Sequence, residues 1–151
     1  MGYEGTVLLN VRVNPNGGVE EVKIAVSSCG FSSMASYAAS PYGGGTLKNW
    51  AQRRYMPRIQ AVYGGDPRRL PFDWPEVLAA IAPRPVFISA PLRDENFLAP
   101  GVKECVDAAR KVYAFLDAEK NLAADYPDAA HAFPPAMRAK AYERIDAALR
   151  P

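Results

Sequence analysis

Residues 83–97, Pro-Arg-Pro-Val-Phe-Ile-Ser-Ala-Pro-Leu-Arg-Asp-Glu-Asn-Phe, constrain this chain more than any other stretch. Pro83 and Pro85 close it on the N-terminal side, because proline breaks a helix and holds its neighbour in extended geometry. The apolar run 86–90 therefore reads as a short buried strand that stops at Pro91 and opens into a charged loop. Open α/β sheets place their chemistry at the C-terminal ends of such strands, and the acid there is Asp94. The single histidine, His131, follows a second strand-like run at 122–126. A strand-end Asp followed by a strand-end His is the second and third part of a triad written nucleophile, acid, base.

The remaining elements fit around that strand. Residues 6–13 and 19–28 are rich in β-branched and alternating residues and flank Asn14-Pro15-Asn16-Gly17-Gly18, which predicts a β-hairpin. Residues 31–45 are small, polar and glycine-rich; without the Lys-Ser or Lys-Thr of a phosphate loop they read as a flexible connector. Leu47, Trp50, Ala51, Tyr55, Ile59 and Val62 have helical spacing, which predicts a helix over 46–62, kinked or split at Pro57. Asp73 and Pro75 start a short helix through Ile81. Helices are expected over 102–116 and 136–149, with a strand between them at 122–126 and a loop at 127–135. Strand alternating with helix argues for an α/β sheet with mostly parallel strands and flanking helices, preceded by the N-terminal hairpin.

At 49% hydrophobic and 23% charged residues, the 151-residue chain has an ordinary globular composition and enough length for one real core. A net charge of +2 with scattered arginines excludes a nucleic-acid stripe. Two cysteines make no disulfide scaffold. The N-terminus lacks a signal-peptide pattern and no apolar stretch reaches membrane-spanning length, so no membrane contact is expected and a cytoplasmic location is the default. One histidine and no Asp/Glu cluster at ligand spacing point to no metal and no cofactor.

Several pieces, in order, resemble an α/β-hydrolase of the dienelactone hydrolase/acetyl xylan esterase-like type, related to the prolyl oligopeptidase-type hydrolases. They are Ala25-Val26-Ser27-Ser28-Cys29-Gly30-Phe31, Trp50-Ala51-Gln52-Arg53-Arg54-Tyr55-Met56-Pro57-Arg58-Ile59, Leu78 to Val86, Arg93 to Phe97, and Tyr126-Pro127-Asp128 to Pro134. The resemblance implies that residues 25–151 are the C-terminal part of a serine hydrolase domain, with Asp94 as triad acid and His131 as triad base. It also implies a Gly-x-Ser-x-Gly nucleophile elbow upstream, and no such motif occurs in this sequence. Residues 5–22 resemble the opening hairpin of a TonB C-terminal domain, whose following helix and Trp-Arg-Phe signature are not found here. The expected organisation is thus a hairpin over 1–24 joined to a truncated hydrolase over 25–151.

Asp94 and His131 have a plainer reading as a surface-loop acid and a helix-capping histidine. Ser32 is a candidate nucleophile, since Gly30-Phe31-Ser32 follows a strand, although Met34 stands where the elbow has its second glycine. Cys29, a thiol near a strand end, is another; the alternative for it is inert packing. Trp50 and Tyr55, with Phe72 and Trp74, are candidates to line a substrate pocket, or to be core aromatics. The expected function is esterase-type hydrolysis of a small acyl ester, weak or absent in this chain alone. The expectation from a different class is a non-catalytic module that pairs with a partner, or with itself as a homo-oligomer, through the hairpin edge.

Overall fold

Four strands form one sheet in the order β1 (Thr6–Val13), β2 (Val19–Ser28), β3 (Val86–Ser89), β4 (Leu122–Asp125). The computed structural model describes residues 6–13 and 19–150, with residues 6–13 and 19–21 described by backbone alone. β1 runs antiparallel to β2, from Thr6 opposite Ser28 to Val13 opposite Val19; the predicted turn between them, residues 14–18, lies outside the described residues. β2, β3 and β4 are parallel, with Ala25 beside Val86 and Val86 beside Leu122. All four residues of β3 are buried, which is why this central strand is apolar on both faces rather than alternating.

The side-chain alternation of the strands divides the core in two. Ala25, Val86, Ile88 and Leu122 meet helices α3 (Trp74–Ile81) and α4 (Ala99–Phe115) through Leu78, Val102, Val106, Ala109 and Tyr113. On the other face, Ile24, Val26 and Phe87 meet α5 (Pro135–Leu149) through Met137, Ala141 and Ile145. The α/β sheet covered on both faces is the architecture expected from the alternation of elements.

Two segments differ from expectation. The connector 31–45 holds a helix, α1 (Met34–Ala39), capped by the Ser33 hydroxyl, which accepts from the Ser36 amide. Gly43 then passes so close to Tyr37 and Ala38 that a Cβ there would meet their backbone; the glycines serve close approach rather than flexibility. Residues 46–57 are a chain of turns, and only α2 (Arg58–Tyr63) is helical. Pro57 stands at its N-cap and Gly64, at φ +67°, ends it in the left-handed conformation. The helical spacing misled because Leu47, Ile59, Trp50 and Met56 all enter one cluster with Met34 and Tyr37, reached through turns.

Asp73 ties this cluster to α3. As expected it caps α3, in a capping box with Glu76. Its two oxygens also accept from the Met34 amide at 2.9 and 3.0 Å, the first amide of α1. Burial pushes its carboxyl above the ordinary range, against the lowering effect of the Trp74 and Met34 amides. Asp73→Ala removes the cap of α3 and the acceptor of the first amide of α1, and a loss of about 1–2 kcal/mol is expected in urea unfolding.

Candidate functional site

The three parallel strands end at one edge, and hydrogen bonds carry their ladders one step further. Cys29 donates to Ser89 at 3.2 Å and Ala90 to Asp125 at 2.9 Å. Beyond those points lie Cys29, the loop with Asp94, and the loop with His131. The two loops are laced by the Leu92 amide on Pro127 O at 2.9 Å and the Arg93 amide on Ala129 O at 3.0 Å. The Arg93–Asp128 ion pair alongside is exposed and adds little. Backbone pairing therefore sets the distance between acid and base.

Asp94 is buried, and its Oδ1 accepts from the amides of Asn96 at 2.9 Å and Phe97 at 3.0 Å. This is an Asx turn, formed by Asp94 on its own loop. The His131 Nδ1 lies 3.1 and 3.0 Å from the two carboxylate oxygens. The Phe97 ring stands 6.0 Å from the imidazole, centroid to centroid. With Nδ1–H donating to the carboxylate, the lone pair rests on Nε2. Nε2 is buried and has no hydrogen-bond partner among the described residues. A buried polar atom left unpaired costs about 1–3 kcal/mol.

Cys29 follows β2 with φ at +49°, a left-handed conformation that a non-glycine residue rarely adopts. Its thiol donates to Ala132 O at 3.3 Å, on the loop of His131. Burial pushes the thiol up to about 11; the Ser28 hydroxyl opposes this and the Asp94 carboxylate adds to it. Cys105, deep in the α4 core, is pushed up by burial to about 12. Both thiols are therefore protonated at neutral pH, and iodoacetamide is expected to leave the folded protein unlabelled and to modify both in urea, read by intact mass.

A cavity of about 270 Å³ opens beside the pair, bounded by Cys29, His131, Asn96, Phe97 and a wall of aromatics. Trp50 and Tyr55, both predicted from sequence, lie in that wall with ring centroids 6.0 Å apart. Trp74 joins them, 5.7 Å from Trp50, whereas Phe72 is exposed and not among the lining residues. Tyr37, Asn96 and Phe97 were missed; an Asx turn after Asp94 was the available signal for the last two. No lining residue is acidic, and none is Lys or Arg. Ser32 is placed elsewhere: it is buried against Gly101 of α4, its hydroxyl 3.5 Å from Ser33 O, and it does not line the cavity.

Scans against protein-family models and against curated proteins match nothing. Among solved structures, the chain is similar to a carbohydrate esterase family 15 glucuronoyl esterase from Caldicellulosiruptor kristjansonii. The TM-score is 0.66 at 24% identity, over 85% of this chain and 37% of that one. Methylesterase BT1017 matches at a TM-score of 0.39 and 27% identity, over 46% of this chain and 15% of that one. The chain thus spans little more than a third of the glucuronoyl esterase's length, and what the likeness to that structure shows is the fold, an α/β arrangement of the hydrolase-like kind.

Proposed function

We propose that this chain is an acyl-ester hydrolase scaffold in which Asp94 orients His131 and His131 Nε2 is the general base. The observation that carries the reading is the division of labour on one imidazole. Nδ1 faces a buried carboxylate, while Nε2 is buried and has no partner among the described residues. In acyl transfer Nε2 takes the nucleophile's proton as it attacks the ester carbonyl, and returns it to the leaving alcohol. Asp94 stabilises the imidazolium formed between those steps. The uncharged aromatic wall suits a neutral ester, and a glucuronoyl ester, named for the structural neighbour, is the first sugar ester to try. No Gly-x-Ser-x-Gly elbow is present in the sequence, so weak or absent turnover by this chain alone belongs to the same proposal. So does its division into a TonB-like hairpin over 1–24 and a truncated hydrolase of the dienelactone type over 25–151.

The test is hydrolysis of p-nitrophenyl acetate and of a glucuronoyl ester, wild type beside His131→Ala, with a fluorophosphonate label read by intact mass. Turnover is expected to fall to the buffer rate in His131→Ala. Turnover undiminished in that variant would sink the reading. A single serine label would reveal a nucleophile, and Ser32 would be mapped first. A second reading rests on β1, an eight-residue strand at the edge of the described sheet. Pairing with a partner or a second copy through that edge would appear as a dimer by sedimentation.

A further inference from the structure

We propose that Cys29, Asp94 and His131 together bind a divalent cation of the Zn2+ type, and that occupancy takes the acid–base pair apart. Binding stands on the geometry alone; its effect on activity rests on the hydrolase reading above. A thiol sulfur, a carboxylate oxygen and an imidazole nitrogen lie within 4.8 Å of one another, the one such set of three among the described residues. Zn2+ holds S, N and O donors at about 2.0–2.3 Å, which places neighbouring donors about 3–4 Å apart. Nδ1 and Oδ2 are already 3.0 Å apart, so closing the set takes a shift of about 1 Å or less at the sulfur. Positions 29, 94 and 131 are far apart in sequence, which is why no ligand spacing betrayed them; the ends of three parallel strands bring them together.

Each donor is prepared for the role. Asp94 Oδ1 is held by two backbone amides, leaving Oδ2 as a monodentate donor whose orientation is fixed from behind. Cys29 is aimed by a left-handed φ and by the hydrogen bond its backbone N–H donates to Ser89 O. The cavity borders Cys29 and His131, and a water or an exogenous ligand entering from it would be the fourth donor. One thiolate among the three donors selects a soft or borderline ion over Mg2+ or Ca2+, which need several oxygens. Carboxylate, thiolate and dication sum to zero charge, the arrangement a buried site tolerates best.

The step balances without any redox change. The cation displaces the thiol proton, which leaves to solvent, because a coordinating thiol is deprotonated outright. Nδ1 gives up its proton to coordinate, and Nε2 takes one up. The net release is one proton per ion. Nε2 then bears a hydrogen and Asp94 no longer faces Nδ1–H, so the base is silenced.

The experiment is a Co2+ titration followed by absorbance. The expected result is one ion per chain, with a near-ultraviolet thiolate-to-cobalt band and the visible bands of four-coordinate Co2+, both abolished by added Zn2+. Cys105→Ala should keep the bands. Cys29→Ser and Cys29→Ala should each lose the thiolate band, and His131→Ala should bind at least tenfold more weakly. Circular dichroism reports whether each variant folds. Proton release measured on the unmodified protein, one per ion, serves as the second readout if a variant does not. No band from folded wild-type protein, or a band that survives both Cys29 substitutions, overturns the proposal. Because none of these signals depends on turnover, Co2+ binding together with ester hydrolysis undiminished in His131→Ala would defeat the hydrolase reading alone.

Discussion

Asp94→Ala is expected to destabilise the protein by about 2–3 kcal/mol and to abolish any activity that depends on His131. The carboxylate is buried, with a fully shielded side chain, and it serves three groups at once. Removing it leaves the Asn96 and Phe97 amides without their acceptor, and the first belongs to a buried residue. It also frees the imidazole to rotate or to change tautomer. The loss is one of charge-assisted hydrogen bonds rather than of volume, so Asp94→Asn should recover part of the stability and little of the activity. Urea unfolding of both variants, beside ester hydrolysis, separates the two effects. Full activity in Asp94→Ala would mean that the pair is structural.

Phe87→Ala is expected to cost about 3–5 kcal/mol. Phe87 is 1% exposed and lies on the α5 side of the central strand. It packs with Ile24, Val26 and Ala141, and the Arg144 guanidinium lies 5.4 Å from its ring centre. Phe87→Leu, which keeps most of the volume, should lose about 1–1.5 kcal/mol. Chemical denaturation gives both values. A Phe87→Ala loss below 1 kcal/mol would mean that α5 is not a real cover for the sheet.

What was legible in the sequence was whatever local chemistry decides. Proline on both sides of residues 86–90 leaves a strand there, and the capping box at Asp73 leaves a helix. The Asp94–His131 relation was legible because strand ends of a parallel sheet converge, so two residues each placed just after a strand are brought to the same edge. Two things were hidden. Residues 31–62 are organised by a cluster of Met34, Tyr37, Leu47 and Ile59, and burial through turns gives the same apolar spacing as a helix. The setting of Cys29 was hidden too, since a thiol after a strand reads as packing until the register places it beside Asp94. Ser32 does not reach the cavity because it is buried against Gly101 of α4.

In the proposed relay, Asp94 holds the proton of His131 on Nδ1 and leaves Nε2 as the base. Nitrogen-15 NMR of the single imidazole tests it directly, because a chain with one histidine gives one pair of ring nitrogens. The expected spectrum shows a ring protonated at Nδ1 and bare at Nε2, with a downfield Nδ1–H resonance that disappears in Asp94→Ala. A ring protonated at Nε2, or a spectrum unchanged by that substitution, would contradict it.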